Sequence, residues 1–222
     1  MTVAATLRLA HRGDHRRGPE NSIPALLAAM DVPGCDGVEF DVRASSDGVP
    51  VLLHDATLKR VQGRPEAVGQ LTADELETLG IPPLAEVLEA VPRRAFLDVE
   101  LKEAFGRPLI EVLAAGRGPD LINAVVSAFD PATLARIRDL VPGWPCWLNS
   151  RDLKPATIAT AAELGCRGIA AQWKAIRPAG VAAARAAGLS VIAWTVTERS
   201  VYTRLVELGV AAVCVEDEAL DG

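Results

Sequence analysis

Short apolar runs, often β-branched, alternate with Ala- and Leu-rich stretches of helical length along nearly the whole chain. The runs TLRLA, GVEFDV, AFLDVEL, INAVVSAF, PCWLN, CRGIAAQ, LSVIAWTV and AAVCVE predict eight strands. Between them SIPALLAAM, LAEVLEAV, GRPLIEVLAAG, DPATLARIRDL, KPATIATAAELG, PAGVAAARAAG and ERSVYTRLVELG predict helices, several opening on Ser, Asp or Pro and stopping at Gly. Runs that are apolar on both faces belong to strands covered on both sides, hence to a parallel sheet with helical crossovers. Eight such units in 222 residues predict a single-domain (β/α)8 TIM barrel spanning 1–222, with an open doubly wound sheet as the other arrangement. The chain stops too soon after AAVCVE for a full last helix, so that helix is expected to be truncated or missing. VPVLLH reads as a short extra strand or excursion after the second strand, and the polar residues 56–82 read as a loop with one short helix.

Composition narrows the class. Half of the residues are hydrophobic and the net charge is -6, which gives no basic face for nucleic acid or an anionic membrane. The four cysteines are scattered without metal-site spacing, which predicts a reduced, cytoplasmic protein. No apolar run approaches the roughly 20 residues that span a bilayer, and no basic-then-apolar leader opens the chain.

The chemistry gathers where strands give way to loops. His11 and His54 both end apolar runs, at the position where barrel active sites collect, whereas His15 in GDHRRG has no such place and is expected to face solvent. Glu39 and Asp41 are two apart on one predicted strand and so share a side, as do Asp98, Glu100 and Lys102 on another. Buried acids need a partner or a metal. Two readings follow: a Glu100–Lys102 ion pair with a solvated Asp41, or a hard divalent cation held by carboxylates. Asp55 either braces a turn or orients His54, Asn21 either caps the next helix or meets substrate, and Glu20 either braces the loop or joins the metal environment.

HRGDHRRGPENSIPALLAAM, GCDGVEFDVRASSDGVPVLLHDATLKRVQG, IPPLAEVLEAV and LDVELK, in this order, strongly resemble the glycerophosphodiester phosphodiesterases, a TIM-barrel family related to phospholipase C. The detailed match covers about the first hundred residues; VVSAFDPATL and SVIAWTV resemble later strands more loosely. The resemblance implies hydrolysis of a small glycerophosphodiester to an alcohol and glycerol 3-phosphate. It also implies His11 and His54 as the acid/base pair, Glu39, Asp41 and Glu100 as ligands of Ca2+ or Mg2+, and Arg12 and Lys102 as the phosphate-binding cations. With such a cation these charges leave about one net positive charge to meet the single negative charge of a diester.

The sequence departs from the family pattern in a short region after His54-Asp55, in VEDEAL where the last strand has T-D-x-P, and in Thr197 where the seventh strand has Asn. Three other functions compete. A phospholipase D-type enzyme acting on lysolipids would share the site, a non-catalytic phosphate-binding barrel would be expected to have lost part of it, and a dinucleotide binder lacks its GxGxxG loop. Phe129, Trp147, Trp173 and Trp194 fall near the ends of predicted strands four to seven and suggest an aromatic wall around the alcohol, with glycerophosphocholine preferred over glycerophosphoinositol and Trp194 nearest to it.

Overall fold

A computed structural model describes residues 5–221. The ends of the 1–222 assignment, including the first four residues of the expected leaderless start, lie outside the described residues. Each predicted strand is present: β1 (Leu7–His11), β2 (Gly37–Ala44), β4 (Phe96–Leu101), β5 (Ala124–Ala128), β6 (Cys146–Ser150), β7 (Gly168–Gln172), β8 (Ser190–Val196) and β9 (Ala212–Val215). All pair in parallel with their neighbours, and β1 joins both β2 and β9, so the ring closes as an eight-stranded barrel rather than an open sheet. The extra strand β3 (Pro50–Leu52) lies outside the ring and runs antiparallel to the end of β2, with Val42 opposite Leu52.

Alternation along each strand divides two environments. Val38, Phe40, Val42, Leu97, Val99 and Leu101 point outward into a core shared with the helices. Leu9, Val125, Trp147, Ala170, Ile192, Ala212 and Cys214 fill the barrel interior. The covering helices are α1 (Ile23–Met30), α3 (Leu84–Ala90), α4 (Arg107–Arg117), α5 (Pro131–Leu140), α6 (Pro155–Glu163), α7 (Pro178–Ala186) and α8 (Arg199–Glu207). Five of them carry Pro at the second helical position or the first, where a missing N–H costs nothing. The last, α9 (Asp217–Leu220), is a single turn. Among the described residues no helix is long and apolar enough to cross a membrane.

The excursion after β3 is more ordered than a loop with one helix. It holds a 3-10 turn at Val68–Gln70 as well as α2 (Ala73–Glu77). Leu58, Val68, Leu76 and Ile81 pack with Val51 and Leu53 into a satellite core of their own. Apolar positions spaced through a polar sequence give no clear period, which is why the sequence reads as loop.

The turn from β1 into the first crossover is tight. Arg12 and Gly13 both have positive φ, 60° and 86°, and the Asp14 N–H donates to the Ala25 carbonyl at 2.8 Å. A Cβ on Gly13 would stand 2.6 Å from the Ala25 carbonyl carbon, inside the first turn of α1. Glycine is therefore required twice over, by conformation and by space. Gly13→Ala is expected to cost on the order of 2 kcal/mol or more, lowering the melting midpoint by several degrees in calorimetry at about 2–4 °C per kcal/mol.

Candidate active site

Inward-facing positions recur every second residue, so the inward residues towards the carboxyl end of each strand gather at the mouth of the barrel. His11 on β1, Glu39 on β2, Glu100 on β4, Asn149 on β6, Gln172 on β7 and Trp194 on β8 thereby line one cavity of about 540 Å3. Arg12, His54, Asp98, Lys102 and Phe129 complete much of its wall.

At its base Glu39, Asp41 and Glu100 each offer a carboxylate oxygen, all within 4.8 Å of one another. Asp41 is fully buried, which removes the reading of a solvated Asp41 beside a Glu100–Lys102 pair. Its partners are Arg12 Nε at 3.0 Å, Lys102 Nζ at 2.8 Å and the Asn21 side-chain amide, which donates at 2.8 Å and accepts the Asp41 N–H at 3.0 Å. Burial alone would raise the Asp41 pKa, but Lys102 and Arg12 outweigh it and hold it down to about 2. Glu39 goes the other way: burial, reinforced by Asp41, Glu100 and Asp98, pushes its carboxyl well above the ordinary range. One Glu39 oxygen, Oε1, is buried without a hydrogen-bond partner. Lys102 also pairs with Glu100, so an ammonium bridges two of the three carboxylates. Three hard oxygen donors, an orphaned buried carboxylate oxygen and a mutual repulsion only partly relieved by Lys102 fit a hard divalent cation.

The two histidines share a device. His11 Nδ1 lies 2.5 Å from Glu216 Oε1, and His54 Nδ1 lies 2.7 Å from Asp55 Oδ1. A carboxylate at Nδ1 keeps a proton there and leaves Nε2 to exchange one. His11 Nε2 faces the carboxylate cluster, 3.7 Å from Glu39. Burial would raise the pKa of Glu216, but the hydrogen bond and charge of His11, with His15 behind, hold its carboxyl below the ordinary range. Asp55 both orients His54 and braces the loop, because its other oxygen accepts from Arg60 Nε at 2.6 Å.

Other expectations are resolved by contacts. Ser22, not Asn21, caps α1, because the Asn21 side chain is committed to Asp41. Glu20 braces the loop: it pairs with Arg12 and Arg60 and stands outside the carboxylate trio. His15 is exposed as expected, yet its ring comes within 3.5 Å of Glu216. The four-ring wall is not present. Trp147 lies near the start of β6, stacked on Phe96 with centroids 5.6 Å apart, towards the opposite end of the barrel. Trp173 packs against the core on the helix side. Phe129 and Trp194 do line the mouth, edge to face at 5.5 Å, so the choline preference loses half of its rings. Sequence reasoning passed over Glu216, Asn149 and Gln172. Each lies two residues beyond an interior position or at a strand's end (Glu216 after Cys214, Asn149 after Trp147, Gln172 after Ala170), and that parity was the available signal.

The sequence profile of the glycerophosphoryl diester phosphodiesterase family matches residues 11–219. Among curated proteins, a glycerophosphodiester phosphodiesterase of Caldanaerobacter subterraneus subsp. tengcongensis is 28% identical over 236 residues, covering 96% of this chain and 94% of the relative. Among solved structures, the glycerophosphodiester phosphodiesterase of Thermotoga maritima superposes with a TM-score of 0.81 at 23% identity, over 97% of this chain and 96% of that one. A phosphodiesterase of Oleispira antarctica, solved with its product sn-glycerol-3-phosphate, gives a TM-score of 0.78 at 26% identity, over 95% and 93%.

Asp98 provides a test of the site's electrostatics. Its ordinary pKa of 3.8 is raised to about 7, chiefly by burial, with the Ser127 hydroxyl donating to it at 2.6 Å. Folding thus favours the protonated form, and the stability this contributes is full below about pH 4 and lost progressively up to about pH 7. In protein stripped of divalent ions, Asp98→Asn is expected to gain thermal stability over the parent between these limits and keep a constant margin above them. Melting curves that stay parallel from pH 4 to 8 would remove burial of Asp98 as the cause.

Proposed function

Because the chain belongs to the glycerophosphoryl diester phosphodiesterase family, and is thereby a phosphoric diester hydrolase, we propose that it cleaves small glycerophosphodiesters to an alcohol and glycerol 3-phosphate by metal-assisted acid/base catalysis with His11 and His54. The observation that carries this reading is the meeting of two carboxylate-held histidines, three clustered carboxylates and two cations in one cavity. The relative solved with glycerol 3-phosphate supports the product class.

In the reaction an oxygen nucleophile, water or the substrate's own glycerol hydroxyl, forms a bond to phosphorus as the bond to the alcohol oxygen breaks. One imidazole takes the proton of the nucleophile, and the other delivers a proton to the departing oxygen, so no alkoxide is released. Where the substrate's hydroxyl attacks, water later opens the cyclic phosphate, and the net reaction consumes one water either way. Glu216 and Asp55 hold Nδ1 of the two rings, so that Nε2 is the atom that takes up the proton on the base and, carrying one at the start, gives it up on the acid. Arg12 and Lys102 face the anionic phosphate from the wall of the cavity. Glu39, Asp41 and Glu100 would hold the divalent ion, Ca2+ or Mg2+, which supplies charge neutralisation and polarises the phosphoryl oxygen when bound. Asn149 has a buried Oδ1 without a partner and, with Gln172 and Thr195, offers uncharged polar groups suited to glycerol hydroxyls.

Purified protein incubated with glycerophosphocholine is expected to release glycerol 3-phosphate, to lose turnover after extensive chelation and to regain it with a divalent ion. Glu39→Gln should weaken metal binding in calorimetry. Turnover undiminished after chelation would remove the metal from the mechanism. His11→Ala and His54→Ala should each lower kcat by on the order of a hundredfold or more. His15→Ala, which removes only a more distant neighbour of Glu216, should change it a few-fold at most. A loss at His15 equal to that at His54 would overturn the assignment of the pair.

A further inference from the structure

Beside the main cavity a second one of about 360 Å3 opens towards the ends of β2, β4 and β5. The two are adjacent: His54, Glu100, Lys102, Phe129 and Arg151 line both. A diester held at the junction would send one arm into each. The deeper arm carries the neutral polar groups that suit glycerol. The shallower arm differs in kind, because Arg43 borders it alone and Arg151 stands at the junction with the main cavity.

Both arginines follow from strand parity. Arg43 stands two residues beyond Asp41 on β2, and Arg151 two beyond Asn149 past the end of β6. Arg43 donates its Nε–H to the His54 carbonyl at 2.9 Å, which fixes the guanidinium and leaves its terminal nitrogens for a ligand. Among the described residues neither arginine is in a salt bridge. The acids of the same cavity are already engaged. Glu100 pairs with Lys102, Glu103 accepts the Ala44 N–H at 2.5 Å, and Asp130 caps α5 by accepting from the Ala132 N–H at 3.1 Å and the Thr133 hydroxyl at 3.0 Å.

We propose that this second cavity binds the departing alcohol and that Arg43 and Arg151 select alcohols bearing an anionic group, a carboxylate or a further phosphate. The proposal rests on the phosphodiesterase reading above and adds to it the class of alcohol. A carboxylate placed between two unpaired guanidinium groups makes charge-assisted, potentially bidentate hydrogen bonds, stronger than those of a neutral hydroxyl. His54 borders both cavities, so a diester held at their junction would set its leaving oxygen beside this ring.

Glycerophosphoserine and glycerophosphoethanolamine differ only by one carboxylate on the alcohol, so their ratio of kcat/KM isolates the contact. The expected ratio is roughly tenfold in favour of the serine diester, in line with one charge-assisted pair. Arg151→Gln should bring it close to one by lowering kcat/KM for the serine diester far more than for the ethanolamine diester. Arg43→Lys, which keeps the charge but loses the planar fork, should lower the ratio part of the way. Equal kcat/KM for the two substrates in the parent protein, or equal losses in Arg151→Gln, would overturn the subsite while leaving the hydrolase reading intact. Absence of turnover on both diesters, with metal present, would instead overturn the hydrolase reading and the subsite with it.

Discussion

Asp41 is the point on which the site depends. A fully buried carboxylate with its pKa held near 2 needs compensation from every side, and it receives an arginine, a lysine and both ends of one amide. Those partners come from three separate places: the turn after β1, the loop before α1 and the end of β4. Holding Asp41 ionised therefore ties together the segments that carry His11, Arg12 and Lys102. Arg12 and Asn21 adopt positive φ, an unfavourable conformation for residues with side chains, and both are held there by bonds to Asp41. The cost falls on Glu39, which shares the cavity, has no comparable partner and resists ionisation.

The barrel turns that local balance into a site. Parallel register sets Glu39 beside Asp98 and Asp41 beside Glu100, so two strands deliver four carboxylates to two successive levels of the interior. Closure of β1 against both β2 and β9 brings His11 to Glu39 on one side and to Glu216 on the other. The single-turn helix α9 contributes here. Immediately after β9 the chain turns through Asp217 at φ 49° into a single turn, and Arg16 clasps Asp221, which keeps Glu216 at the rim beside His11.

Much of the fold was legible because the signal is local. Strands covered on both faces read as apolar runs, crossovers read as capped helices, and eight repeats in this length leave few architectures. The paired carboxylates and the histidines were legible for the same reason, since residues two apart on a strand share a face whatever surrounds it. The satellite core after β3 was not, because Leu58, Val68 and Ile81 have no common period and meet only when the excursion folds back on Val51. The aromatic wall failed on a matter of position along a strand. Trp147 and Phe129 both lie near strand boundaries in the sequence, but one boundary is the amino end and the other the carboxyl end.

The sequence by itself determined the barrel, the end of it where the carboxylates and histidines gather, and the residue types whose chemistry suits a metal and proton transfer, because each depends on short-range periodicity and on residue type. Only the tertiary structure decided which groups those side chains meet. Ring closure joins residues 205 positions apart in the His11–Glu216 bond, Asn21 turns from a helix cap to a support for Asp41, and Arg43 and Arg151, among the described residues, stand without a salt bridge beside the candidate site. Such pairings follow from register and closure, which are properties of the whole ring and leave no mark on any single stretch of the chain.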